Sequence, residues 1–277
     1  MGDHQMVFVG GLHRSGTTPL AAVLAEHPDV SGLTGTGVVE NEGIYLQDVY
    51  PQLRALGGMG RFAFNPDAHL TEDSPLAGGA SAGRLMAAWS PYWDLSRPVL
   101  VEKSPNNIVM SRFLQASFPS ARFVMVMRHP VVVALAMAKW DPLVVNRKGR
   151  RRVGFEGYIR HWIRAHEILM EDESRLSNLL VLRYEDLVEA PEQQLERVRA
   201  FLDLTGPIPA TGIRPGRSGS YVRTWEQMRT GSVLRRRRRR VVEERYGERI
   251  QGFGYDLSSL GVLEGTGAPS ARLDGRG

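Results

Sequence analysis

The first 26 residues restrict the fold more than any other part of the chain. Met6-Val7-Phe8-Val9 is a run of apolar, β-favouring residues closing on Gly10-Gly11, and residues 5–11 read as a buried strand. From Thr17 to Glu26, Leu20, Val23 and Leu24 share one face of a helix. The connection between them, Gly11-Leu12-His13-Arg14-Ser15-Gly16-Thr17-Thr18, keeps a G-x-x-x-x-G spacing. Such a loop turns tightly and aims backbone N–H groups, with the positive end of the following helix, at an anion. Thr17 and Thr18 add hydroxyl donors.

The same alternation continues along the chain. Apolar strands are expected at Pro98–Glu102, Arg122–Met127 and Asn178–Arg183. Helices are expected at Arg84–Trp93, Asn106–Phe118, Val131–Trp140, Phe155–Asp172, Pro191–Leu204 and Ser232–Tyr246. Residues 32–43 and 57–83 are Gly-rich and irregular. Strands alternating with helices predict an α/β fold, a P-loop-like three-layer αβα with a central parallel sheet of four to five strands. The expected organisation is one domain over residues 1–263 and a polar, disordered tail over 264–277. Ligands of such sheets bind beyond the carboxyl ends of the strands. Three sequences fall there: Gly11–Thr18, Glu102–Asn107 and Arg128–Pro130.

Composition narrows the chemistry. The chain of 277 residues has no cysteine, which excludes disulfides, thiolate metal sites and cysteine nucleophiles. Its 42% hydrophobic content suits a globular core, and no apolar run is long enough to span a bilayer. Without a basic segment at its start, a cytoplasmic protein with no membrane insertion is expected. The formal net charge is +5, but Arg147–Arg152 and Arg235–Arg240 carry eleven positive charges, and without them the balance is −6. A nucleic-acid-binding module using the two arginine runs is one reading; no recognisable binding motif accompanies them, so no nucleic acid partner is expected.

The loop departs from that of an ATP-hydrolysing protein. Thr17 occupies the position of the phosphate-binding lysine, Arg14 brings the cation, and the third strand leads into Arg128 where a metal-binding acid would be expected. A P-loop kinase or nucleotide-binding protein remains the alternative, and it predicts preference for Mg-ATP.

Taken together, these segments resemble the sulfotransferases that use 3′-phosphoadenosine 5′-phosphosulfate (PAPS). Phe8-Val9-Gly10-Gly11 with Arg14-Ser15-Gly16-Thr17-Thr18 is similar to their 5′-phosphosulfate loop, in the version of tyrosylprotein and many bacterial sulfotransferases. Val126-Met127-Arg128-His129-Pro130 resembles their 3′-phosphate motif, Val101-Glu102-Lys103-Ser104-Pro105 their K-[ST/D]-P segment, and Arg183-Tyr184-Glu185-Asp186-Leu187 their R-Y-E-D-L segment. Order and spacing agree from Val7 to Leu204, and Gly252-Phe253-Gly254-Tyr255 resembles a common C-terminal ending.

The resemblance implies a PAPS-dependent transferase of bacterial secondary metabolism, with PAPS as donor, 3′-phosphoadenosine 5′-phosphate (PAP) as product, no metal, and a small-molecule hydroxyl or phenol as acceptor. It implies that Arg14, Ser15, Gly16, Thr17 and Thr18 hold the 5′-phosphate, that Arg128 pairs with the 3′-phosphate, and that Tyr184 contacts adenine. Arg14 and Lys103 are the candidates to neutralise the leaving oxygen. The family's serine eight residues after the arginine is here Ala136, and Lys139, on the same helix face, is expected to substitute. Gly212–Arg223 is expected to form a closing loop bringing Arg214, Arg217 or Arg223 to the 3′-phosphate. For the base, Glu40-Asn41-Glu42 resembles the E-x-E of glycan sulfotransferases, which favours Glu42 over Glu40. The change at Ala136 also keeps open a fold that has lost activity.

The remaining polar landmarks read as structural. His161 and His166 lie five residues apart on one predicted helix and do not share a face, which argues against a zinc pair. His13 and His69 are weak candidates. Trp89, Trp93, Trp140, Trp162 and Trp225 are expected in the core or a pocket wall, Glu102 as a buried partner of a cation, and Arg147–Arg152 as a lid.

Overall fold

A computed structural model describes residues 4–144, 153–216, 218–263, 265–266 and 271–273. The elements run β1 Gln5–Gly10, α1 Thr17–Ala25, β2 Val30–Gly32, α2 Gly79–Trp89, β3 Val99–Lys103, α3 Ser111–Ser117, β4 Arg122–Met127 and α4 Pro130–Val144. They continue α5 Gly154–Glu173, β5 Asn178–Arg183, α6 Tyr184–Glu189, α7 Pro191–Phe201, α8 Gly219–Thr230, α9 Val233–Gly252 and β6 Ala271–Leu273. The expected lid at Arg147–Arg152 and the expected contact at Arg217 lie outside the described residues.

The strand order is β2-β3-β1-β4-β5-β6. The first five strands are parallel, and β6 pairs antiparallel with β5. Strand side chains alternate between two faces. On one face Met6, Phe8, Leu100 and Phe123 pack with Trp89 of α2, Phe113 of α3, Val131 of α4 and Trp162 of α5. On the other, Val7, Val9, Val101 and Val124 pack with Leu20 and Leu24 of α1 and Leu195 and Val198 of α7. The result is the expected three layers. Fully burying each such side chain contributes about 1.5–3 kcal/mol, which sets the sheet and its edge of strand ends as the rigid frame.

The five parallel strands match the expected four to five, and the antiparallel β6 is added at one edge; neither β2 nor β6 is among the strands expected. β2 is three residues at one edge, too short to show an alternating pattern. β6 forms in the segment expected to be a disordered tail, where Leu273 stands opposite Asn178 and Ala271 opposite Leu180. The remaining tail positions 264, 267–270 and 274–277 lie outside the described residues. The predicted helix at 106–118 divides into a 3₁₀ turn at Pro105–Val109 and α3. Of the stretch 57–83 expected to be irregular, residues 57–78 are turns, with single 3₁₀ turns at Phe62–Phe64 and Pro66–Ala68, whereas α2 begins at Gly79, ahead of the expected Arg84, and ends at Trp89. No helix among the described residues is long and apolar enough to cross a membrane.

Candidate active site

The anion loop is built on two glycines that nothing larger can replace. Gly11 has φ 137°, and a Cβ there would lie 2.4 Å from the Val126 carbonyl oxygen of β4. Gly16 has φ 102°, and its Cβ would lie 2.5 Å from the Tyr184 ring. The Ser15 N–H donates to the Leu12 carbonyl at 3.0 Å and closes the turn. Gly16 caps α1 without a side-chain acceptor, so the cap leaves the first N–H groups of the helix unclaimed. Ser15 is fully buried, and its hydroxyl has no partner. A buried polar atom left unpaired is costly, and a ligand oxygen at the loop would relieve that cost. These features fit a bound phosphate.

Beside the loop, the register Val9↔Lys103 brings the end of β3 level with the end of β1. Lys103 is 5% exposed, and its Nζ lies 3.0 Å from Glu42 Oε1 and 3.8 Å from Glu40 Oε2. Glu42 is itself buried, whereas the Glu40 side chain is half exposed and accepts from the Thr18 hydroxyl. The acidic loop is fastened to β3 through Glu102. Its carboxylate accepts from the Gly43 N–H at 3.0 Å, the Ser104 hydroxyl at 2.5 Å and Asn107 Nδ2 at 2.6 Å. Ser104 in turn accepts from the Ile44 N–H at 3.0 Å. Uncharged N–H and O–H donors make the direct bonds of Glu102, because β3 alternation turns it away from Lys103, whose charge still acts on it.

Burial pushes the Glu42 carboxyl up to about 7, against the opposing pull of Lys103, and Glu40 and Glu102 add to the rise. Burial also raises Glu102. In the loop, desolvation and then the Lys103 charge lower His13 to about 4, which keeps its ring neutral.

At the end of β4, Arg128 is 6% exposed. One guanidinium nitrogen donates to the Arg14 carbonyl at 2.8 Å, the other to the Ser218 hydroxyl at 2.8 Å, and Nε is buried without a partner. The group lies 4.0 Å over the Tyr184 ring. The neighbouring segments hold it in place. Trp162 Nε1 donates to the Arg128 carbonyl at 2.9 Å, and Glu185 accepts from the His129 N–H at 3.0 Å and the Tyr255 hydroxyl at 3.1 Å. The R-Y-E-D-L and C-terminal Tyr255 segments thus act as braces for the Arg128 turn.

Five expected positions look different in place. Tyr184 is 5% exposed, covered by Arg128 and packed on Gly16, so it supports the loop and has little surface left for an adenine. Lys139 is exposed on α4 and makes no ion pair with described residues, while Ala136 is buried, so the two do not point alike. Arg223 is exposed and lies in α8, within the segment read as a loop; Arg214 is exposed as well. The Arg14 side chain extends outward to lie 5.0 Å over the half-exposed Trp140 ring. Ser218, just ahead of α8, escapes sequence reasoning, because nothing local marks one serine among several.

The residues expected to be structural stand apart from this cluster. His69 lies 2.9 Å from Asp172, which also meets Arg112 at 3.1 Å. His161 and His166 are buried in α5. Trp89, Trp162 and Trp225 are fully buried. Among the described residues no group of three or more His, Asp or Glu side chains is arranged to hold a metal ion.

Residues 6–207 match the profile described as "Sulfotransferase family". Protein-tyrosine sulfotransferase A of Caenorhabditis elegans is 24% identical over 208 residues, covering 72% of this chain and 50% of that protein. The omega-hydroxy-beta-dihydromenaquinone-9 sulfotransferase Stf3 of Mycobacterium tuberculosis is 28% identical over 170 residues, 58% of this chain and 42% of that protein. The chain thus spans about half the length of curated relatives it matches. The crystal structure of sulfotransferase STF9 from Mycobacterium avium shares the fold, with a TM-score of 0.52 at 14% identity over 84% of this chain and 70% of that one.

Proposed function

The chain belongs to the sulfotransferase family, and on that premise we propose that it moves a sulfuryl group from PAPS to a hydroxyl or phenol of a small-molecule acceptor. The observation that carries this reading is the buried Glu42–Lys103 pair, 3.0 Å apart, beside a loop with unclaimed phosphate donors. When bound, PAPS supplies an electrophilic sulfur and a phosphate leaving group. The amides of residues 11–18 and the Ser15 and Thr17 hydroxyls hold the 5′-phosphate. Arg128, whose Nε is free and whose fork suits phosphate oxygens, holds the 3′-phosphate together with Ser218. Ser218 thereby supplies the hydroxyl that Ala136 lacks.

Glu42 takes the proton of the acceptor hydroxyl at its carboxylate. A base whose pKa lies near neutrality is well matched to that task. Lys103, released from Glu42 as that carboxylate gains the proton, turns its charge to the departing oxygen. Arg14 adds a second cation at the mouth. The names of two relatives, a tyrosine and an omega-hydroxy sulfotransferase, support a hydroxyl or phenol as acceptor.

The kinase alternative is disfavoured by Thr17 in the lysine position and Arg128 after β4. A thermal-shift comparison separates the two. PAP is expected to raise the melting temperature, and Mg-ATP to leave it unchanged; stabilisation by Mg-ATP alone overturns the proposal.

A further inference from the structure

The arginine run from 235 to 240 is the largest motif that this chemistry does not use. It fills the opening turns of α9, and every member except Arg239 is exposed. Arg239 pairs with Glu243 at 2.7 Å and Arg240 with Glu244 at 3.5 Å, as helical spacing predicts. Arg235, Arg236, Arg237 and Arg238 have no acidic partner among the described residues; Arg236 donates to the Gly231 carbonyl. Arg235, Arg237 and Arg238 are thus left to solvent on a chain whose charge, outside the two arginine runs, is negative.

Two aliphatic residues stand directly before them. Val233 is 73% and Leu234 57% exposed, and they are the only neighbouring pair among the exposed large apolar residues described. A groove of about 230 Å³ runs between α9 and α5, lined by Leu234, Arg237, Arg238, Val241 and Arg245 against Phe155. Positions 234, 238, 241 and 245 recur at helical spacing, so one stripe of α9 carries apolar and cationic side chains together. The acid in the groove, Glu156, is already engaged by Arg245 at 3.5 Å and the Tyr246 hydroxyl at 2.8 Å.

We propose that this face docks the protein on an anionic lipid membrane. Arg237 and Arg238, which share the side of α9 that carries Val233 and Leu234, meet headgroup phosphates, and the two aliphatic side chains enter the interfacial layer. A nucleic acid would use the guanidinium groups but has no use for two exposed aliphatic side chains and an apolar groove floor; a lipid surface uses both. The charge asymmetry favours one orientation on the surface. This docking is independent of the transfer reaction, whose residues lie on the loop and on the ends of β3 and β4.

The test is co-sedimentation of the full chain with vesicles of phosphatidylcholine alone and of phosphatidylcholine mixed with phosphatidylglycerol. Binding is expected to the anionic vesicles only, and to weaken as salt rises. The double substitution Arg237→Ala/Arg238→Ala is expected to weaken it about 30-fold. Val233→Ser/Leu234→Ser is expected to weaken it as well and to leave the remainder more salt-sensitive. An unchanged melting temperature shows that each variant is folded. Equal binding to both vesicle types, or variants that bind like the parent, overturns the proposal. So does a failure to bind vesicles accompanied by binding of a short DNA duplex through the same arginines.

Discussion

Lys103 Nζ lies 3.0 Å from Glu42 Oε1, and both side chains are almost fully buried at the mouth of the anion loop. A buried pair of this kind gives little net stability, because desolvation offsets most of the attraction. In the proposed reaction the pair serves the chemistry: a carboxylate raised toward neutrality beside a cation that its protonation releases.

Glu42 accepts a proton only when ionised, and its pKa is raised to about 7. The kcat/KM for an acceptor should therefore rise with pH through about 7 and then level off, in initial-rate measurements across the neutral range. An acceptor whose own pKa lies far above neutrality keeps the two ionisations separable. A flat profile through neutrality contradicts the assignment.

Stability should move the other way. An acid whose folded pKa is raised binds more protons folded than unfolded, so stability falls as pH rises from its ordinary value of 4.5 to about 7. Glu42→Gln removes that dependence. Urea unfolding should show the variant gaining on the parent by roughly 1–3 kcal/mol above neutrality, the Lys103 attraction being already contained in the net rise, and gaining nothing at acidic pH.

Gly16→Ala tests the loop. At φ 102° and with Tyr184 2.5 Å from the added carbon, the substitution should cost about 1–3 kcal/mol in urea unfolding. It should also abolish the thermal shift with PAP, because the loop amides lose their alignment.

Ser218→Ala tests the 3′-phosphate assignment. The lost hydrogen bond next to Arg128 should weaken PAP binding about tenfold by calorimetry, in line with ~1.4 kcal/mol for a charge-assisted bond. Binding of adenosine 5′-phosphate, which has no 3′-phosphate, should not change. Equal losses for both nucleotides contradict the role.

Much of the fold is legible in the amino-acid sequence alone. The expected bounds of β4 and β5 coincide with the observed ones, because uninterrupted apolar runs buried on both faces leave little ambiguity. The loop is legible because strand, glycine spacing and helix are all local. Ser218 is not: it meets Arg128 across 90 residues, and only the tertiary fold makes the pair. In sequence, the order of Glu42 over Glu40 rests on resemblance. The structure adds a difference in burial that the sequence does not show: Glu42 is buried and Glu40 half exposed, with positive φ at Glu40 and Asn41 and the following Gly43 N–H held by the distant Glu102. The burial of Tyr184 under Arg128, which leaves its ring little surface, is not legible in the sequence for a similar reason, since it depends on two separate strand ends meeting. The Gly219-Ser220 start hides α8 in the sequence, and the helix holds because Trp225 is buried beneath it.

The central claim is tested most directly by transfer of labelled sulfuryl from PAPS to a panel of phenols and aliphatic alcohols, with the parent chain and Glu42→Gln side by side. The parent should label at least one acceptor, and Glu42→Gln should lose about a hundredfold or more in rate while keeping its thermal shift with PAP. Turnover by Glu42→Gln at the parent's rate would contradict the account.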